Sequence, residues 1–176
     1  SNGYHAITTH QIAWHLINDV PFAGRPVWIS FDDGLQDFAD HAWPELRAAD
    51  LTAEVFLVTS HVGGEAVWDS SFGQPAPLMD CNTIARLAAE GVFFGSHLAT
   101  HRAADGLSTQ ALAEEMLFSR AMIERWIGWT PNALCAPYGA TDGRFGRLAE
   151  QCGYSVAIGG GVGPVSLGDT VFDLRR

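Results

Sequence analysis

The sequence predicts an α/β chain built around a parallel sheet, and three observations predict it. Short apolar, β-branched or aromatic runs alternate with longer segments of helical apolar spacing. Cap and turn residues fall between the two kinds of segment. A length of 176 residues suits one domain with its own core, yet is small for eight strand–helix units.

The strand-like runs are 27–31, 55–58, 92–95, 133–135 and 155–158, with a short sixth at 171–174. Six strands are too few for a closed eight-fold barrel. Thr9 precedes helical spacing over 11–17, and Asp37 precedes it over 38–49, where Pro44 should kink or delay the helix. Asp80 is the expected cap of 82–90 ahead of Gly91, and Ser108 that of a long helix to Ile127 ahead of Gly128. Asp142 is the expected cap of a last helix ending before Gly153. Residues 60–79 hold Gly63, Gly64, Gly73, Pro75 and Pro77 without periodicity, a long loop of the kind that borders a site.

Composition removes several functions. Hydrophobic residues at 47% and charged residues at 17% describe a globular chain. A formal net charge of -10 argues against nucleic acid or anionic lipid as the main partner. All ten cations are Arg, which excludes a P-loop lysine, a Schiff base and a pyridoxal anchor. No apolar run approaches the roughly 18–20 residues of a membrane span, and Ser1 to His5 has no signal-peptide pattern. Cys81, Cys135 and Cys152 are odd in number and widely spaced, so they read as buried free thiols.

The run from Val27 to Phe31 enters Asp32-Asp33-Gly34, placing two carboxylates at the C-terminal end of a strand, where parallel folds build their sites. Adjacent residues point in different directions, so one carboxylate can face a metal while the other takes a proton from water. By itself the dipeptide reads as an Asp-Gly turn. His97 and His101 follow another strand four residues apart, which suits a divalent metal if the segment turns helically. With Asp33 they make a two-His, one-carboxylate set that leaves positions open for water and substrate. His5, His10 and His15 are five apart, off any single helix face, and read as surface or packing residues. The strand 133–135 runs into Pro137-Tyr138-Gly139, either a plain turn or a rim presenting a backbone N–H and an aromatic ring. Cys135, inside that apolar strand, reads as an inert thiol rather than a nucleophile.

Together these segments resemble the polysaccharide deacetylases of the NodB-homology type, the family four carbohydrate esterases. Ile29-Ser30-Phe31-Asp32-Asp33-Gly34 is similar to the family's T-F-D-D-G motif, His97 to His101 to its H-[ST]-x-x-H motif, and Ala136-Pro137-Tyr138-Gly139 to its R-x-P-Y motif. Glu54 to Val58 resembles the strand between the first two, and the order and separations fit. The resemblance implies a distorted (β/α) barrel of about seven strands and metal-dependent removal of N-acetyl or O-acetyl groups from a sugar polymer. It implies that Asp33, His97 and His101 hold the metal, zinc foremost, with cobalt and nickel as alternatives. Asp32 would be the general base for the attacking water, and the Tyr138 backbone N–H would stabilise the oxyanion. Pro137 and Tyr138 would line the substrate site. A polysaccharide or oligosaccharide is then the partner, and the cell envelope or the extracellular space the expected setting.

The departures are specific. Leu98 stands where the family has Ser or Thr, so a hydrogen bond orienting the histidines is expected to be missing and metal affinity lower. Cys135 stands where many members have an Arg that orients the catalytic aspartate. The branch acting on poly-N-acetylglucosamine tends to lack that Arg, and the resemblance leans to that branch. No His follows His101, so the family's late Leu-x-His general acid is absent, and the barrel is expected to be incomplete through truncation at the N-terminal side. The segment 169–176 resembles the branch's closing stretch. Two other readings are a carbohydrate-binding protein without turnover and an amidohydrolase of a small non-sugar amide. An open groove with exposed aromatics such as Trp68 or Phe72, rather than a closed pocket, would favour a polymer substrate.

Overall fold

Parallel pairing follows from the alternation of elements, because a strand that returns in the same direction needs a covering crossover. The computed structural model describes residues 3–176, with the side chains of Asp69, Ser71 and Phe72 outside the description. Strand β1 (Tyr4–Ile7) pairs in parallel with β2 (Arg25–Trp28). Strands β3 (Ser30–Phe31), β4 (Glu54–Leu57), β5 (Phe93–Ser96), β6 (Ala133–Cys135) and β7 (Val156–Ile158) form a second parallel sheet in sequence order. Only Ile29 separates β2 from β3, so the seven described strands make a curled, incomplete barrel. Among the described residues, no helix is long and apolar enough to cross a membrane.

The sixth expected strand, 171–174, forms instead a single parallel bridge from Leu174 to Ile158 on β7. The expected run 27–31 is split at Ile29 into β2 and β3, and β1 is a strand the sequence pattern hid because its burial is graded along the strand rather than alternating. The aspartates therefore end β3, and His97 follows β5, all at the C-terminal ends of parallel strands.

Among the described residues five α-helices cover the sheet: α1 (Thr9–Ile17), α2 (Trp43–Ala48), α3 (Cys81–Ala89), α4 (Thr109–Ile127) and α5 (Phe145–Gln151). The α1 cap is Thr8, one residue earlier than expected, in a reciprocal capping box with Gln11. Pro44 does delay its helix: a π-helical turn at Phe38–Ala42 comes first, and the α-helix starts with Pro44 in its first turn. Asp80 and Ser108 cap α3 and α4 through their side chains, and Gly128 ends α4 at φ 84, where a Cβ would be strained. Asp142 does not cap α5; its carboxylate holds the backbone N–H and the guanidinium of Arg144, which occupies the cap position. Cys81, expected to be buried, is exposed, because it opens α3 directly after its cap.

The two faces of β4 separate the core. Val55 and Leu57 point outward to Trp43, Ile84, Leu87 and Ile123 of the helices. Phe56 points into the concave side, against Ile12 and Ala13 of α1, Cys135, Ile158 and Leu174. Gly95 of β5 makes room for that ring, since a Cβ there would stand 2.5 Å from Phe56.

Candidate active site

Asp33, His97 and His101 meet as the spacing implied, but the turn that joins the histidines is not helical. Leu98 and His101 take left-handed backbone conformations, with φ of 63° and 59°. Asp33 and Tyr138 do the same, at 69° and 58°. Such backbone is unfavourable for residues with a Cβ and persists where surrounding contacts hold it. Here Glu115 of α4 holds it: one carboxylate oxygen accepts from the backbone N–H groups of Ala99 and Thr100, each at 2.8 Å, and the other accepts from the Thr100 hydroxyl. Backbone pairing continues past the strand ends, with His97 N–H donating to Leu57 O at 2.9 Å.

His97 Nε2 lies 3.6 Å and His101 Nε2 3.1 Å from Asp33 Oδ1. The His97 Nδ1 lies 2.8 Å from the Cys135 carbonyl oxygen, which only accepts, so Nδ1 carries the proton. Burial pushes the His97 pKa down, and the neutral ring therefore turns an unprotonated Nε2 towards a carboxylate oxygen. Burial raises the Asp33 pKa, but the polar contact of His101, the electrostatic pull of the two neighbouring histidines and the Trp68 indole N–H outweigh it and hold it below the ordinary carboxylate value. Asp33 Oδ1 is buried without a hydrogen-bonded partner. The Asp33 Oδ1 and the unprotonated His97 Nε2 turn to one point beside His101 Nε2, an arrangement that fits a cation, and the three donor atoms lie within 4.8 Å of one another.

Two aromatics brace the set. Trp68 stacks on His101 with ring centroids 4.3 Å apart, and its indole N–H points to Asp33 Oδ2 at 3.4 Å. The Tyr138 hydroxyl sits 3.1 Å from His101 Nδ1. The expected loss of an orienting hydrogen bond at Leu98 is therefore offset elsewhere: Leu98 is buried in apolar packing, and Cys135 O and Tyr138 fix the rings. Trp68, read as a sugar-stacking candidate, has one face spent on a histidine, and the Phe72 side chain lies outside the described residues.

Asp32 points away from its neighbour. Its carboxylate meets the guanidinium of Arg176, and its Oδ2 stays 3.9 Å from His97 Nε2. Cys135 is buried with its thiol pushed far up by burial, the inert state expected of it. A cleft of about 530 Å³ opens beside the aspartates, lined also by Leu35, Phe38 and His41. A larger concavity of about 1200 Å³ lies at the opposite, N-terminal ends of the strands, near Tyr4, Thr52 and Gly91, remote from this chemistry. Sequence reasoning missed Arg176 and Glu115, which reach the site from a distant tail and a helix face.

Fold and site define a class: a parallel α/β half-barrel that presents a cation-ready Asp-His-His set, with a second carboxylate beside it, at the C-terminal ends of its strands. The sequence profile of the polysaccharide deacetylases matches residues 19–157, and the chain belongs to that family. YxkH of Bacillus subtilis strain 168 is 24% identical over 175 residues, 99% of this chain. The poly-beta-1,6-N-acetyl-D-glucosamine N-deacetylase of Staphylococcus epidermidis is 45% identical over 42 residues, 24% of this chain. The chain spans 59% of the length of the first of these curated relatives, and the alignment to the second covers 14% of it. Among solved structures, Streptococcus pyogenes deacetylase PplD in complex with acetate superposes with a TM-score of 0.84 at 22% identity, covering 99% of this chain and 73% of that one. The BpsB deacetylase domain of Bordetella bronchiseptica gives 0.83 at 22% identity, over 99% and 78%. These likenesses bear out the incomplete barrel.

Proposed function

We propose that this chain removes acetyl groups from an N-acetylglucosamine-containing polysaccharide, with a divalent metal held by Asp33, His97 and His101. The observation that carries the reading is the buried Asp33 Oδ1, facing two imidazole nitrogens with no hydrogen-bonded partner. The staphylococcal relative's name supports the substrate class. When bound, the metal, zinc foremost with cobalt or nickel as alternatives, would polarise the acetyl carbonyl and acidify water.

The protein's own groups divide the remaining work. Asp32, free of the donor set, takes the proton of the attacking water. The Tyr138 backbone N–H donates a hydrogen bond to the carbonyl oxygen as negative charge develops there, while its hydroxyl keeps His101 in register. Pro137 and Tyr138 form the rim against which the sugar lies, with Tyr138 65% exposed. The cleft beside the aspartates is open rather than enclosed, which accommodates a polymer better than a small amide. The cell envelope or the extracellular space is the setting this substrate requires.

The test is metal content of the purified chain, wild type beside His97→Ala and Asp33→Ala, with acetate release from N-acetylglucosamine oligomers measured on the same samples. About one metal per chain, lost in both variants together with acetate release, is the expected result. Metal without acetate would leave a binding protein, and a metal-free wild type under zinc saturation would end the assignment.

A further inference from the structure

Arg176 comes from beyond the family-matched residues, which end at 157, yet it makes the closest polar contacts of the Asp32 carboxylate. Its Nη1 donates to Asp32 Oδ1 at 2.8 Å and its Nη2 donates to Asp32 Oδ2, so a planar fork meets both carboxylate oxygens. Nη1 also donates to Ser30 Oγ on β3 at 3.3 Å.

The fork is delivered by backbone. Leu174 bridges to Ile158, Gly159 N–H donates to Leu174 O at 3.0 Å, and Arg176 N–H donates to Gly161 O at 3.0 Å. The glycines permit this close packing: a Cβ on Gly161 would stand 3.1 Å from Arg175 Cβ, and one on Gly160 would stand 2.5 Å from Gly139 O. Arg175 pairs instead with Asp169 at 2.9 Å. The Cys135 thiol, 3.9 Å from Asp32 Oδ1, offers no positive charge.

The site also holds an ambiguity that Arg176 resolves. Two donor sets share His97: Asp33 with His101, and Asp32 with Cys135, each with its atoms within 4.8 Å of one another. We infer that Arg176 is the positioning residue of Asp32, a bidentate clamp that keeps this carboxylate out of the metal's ligand set and aimed at the cleft. The inference rests on the reading of Asp32 as the base, and it gives the tail a part in the chemistry that the strand-end motifs do not contain. With both oxygens engaged by the guanidinium, Asp32 cannot turn to a cation at Asp33, while Asp33 has no such partner and can.

Cobalt substitution tests the clamp apart from turnover. Full-length wild type, Arg176→Gln, Arg176→Lys and the Asp32→Asn/Arg176→Gln double variant are titrated with Co2+ and followed by visible absorption. The expected result is a changed visible spectrum and roughly tenfold tighter Co2+ binding in Arg176→Gln, as a released Asp32 joins the ligands. The double variant should return to the wild-type spectrum. In parallel, kcat for acetate release should fall roughly a hundredfold in Arg176→Gln with little change in KM, partly restored by added guanidinium and not by methylammonium. An unchanged spectrum in Arg176→Gln, or an altered one that persists in the double variant, overturns the inference. If wild type releases no acetate, the base reading fails, and the spectra still decide the clamp; Arg176→Lys, which keeps the charge without the fork, should show the same spectral change if Arg176→Gln does not fold.

Discussion

Glu54 offers the sharpest test of how the barrel is held. It is 2% exposed at the start of β4, on the concave side, where its Oε1 accepts from the Thr9 hydroxyl at 2.8 Å and its Oε2 from the Trp28 indole at 3.1 Å. No cation is among the groups that set its titration, and burial pushes its pKa from 4.5 to about 7 despite those hydrogen bonds. A carboxyl whose folded pKa is raised binds its proton more tightly in the folded state. Its contribution to stability is complete below the unfolded value and is lost as pH rises through the folded one. At about 1.4 kcal/mol per unit, the displacement from 4.5 to about 7 amounts to roughly 3 kcal/mol, lost between pH 4.5 and pH 7. Glu54→Gln mimics the protonated carboxyl without titrating. The variant should match wild type at pH 4.5 and exceed it by roughly 3 kcal/mol at pH 8, a rise in Tm on the order of 5–10 °C. Urea unfolding of chelator-treated protein, from pH 4.5 to pH 8, reads the difference directly. Parallel pH profiles for the two proteins, or a variant less stable at pH 8, would refute the reasoning.

Other consequences are as direct. Glu115→Ala removes the acceptor of the Ala99 and Thr100 N–H groups and should weaken binding of the proposed metal roughly 10–100-fold in a chelator competition, with circular dichroism unchanged. Gly160→Ala drives a methyl to 2.5 Å from Gly139 O, so the Pro-Tyr-Gly turn must shift; thermal denaturation should show a loss of about 1–3 kcal/mol. One thiol, Cys81, should react with an aromatic disulfide reagent in the native protein, and Cys135 and Cys152 only after denaturant is added.

The parts of this molecule that could be read in the sequence are those whose signal is local. Asp32-Asp33-Gly34 follows a mainly apolar run, Val27 to Phe31, so its place at a strand end followed from the five preceding side chains. Asp80, Ser108 and Gly128 marked helix ends because capping is a short-range contact. The fold class followed from alternation, whereas the barrel followed from a family resemblance. What escaped notice depends on chain that returns from far away. Arg176 is 144 positions from Asp32, and nothing in its neighbourhood in sequence specifies that partner. Glu115 left a faint trace: it lies between Leu112, Met116 and Ser119, buried positions of α4, where a charged residue needs a reason. The bend between His97 and His101 escaped because Leu98 is a poor choice for left-handed backbone, and only Glu115 and the surrounding packing make it tenable.

That backbone has an evolutionary meaning. Of the six non-glycine residues at positive φ among the described residues, four are Asp33, Leu98, His101 and Tyr138, all within the site. Strain of this kind costs on the order of 1–3 kcal/mol per residue. Selection for a robust fold and selection for a working site therefore pull in opposite directions at the same positions. A variant library sorted for heat resistance alone should drift towards Gly or Asn at Tyr138, relaxing the chain and releasing His101 from its hydroxyl partner. The same library sorted for retained metal should keep the strained residue, so that position 138 records which pressure a lineage has been under.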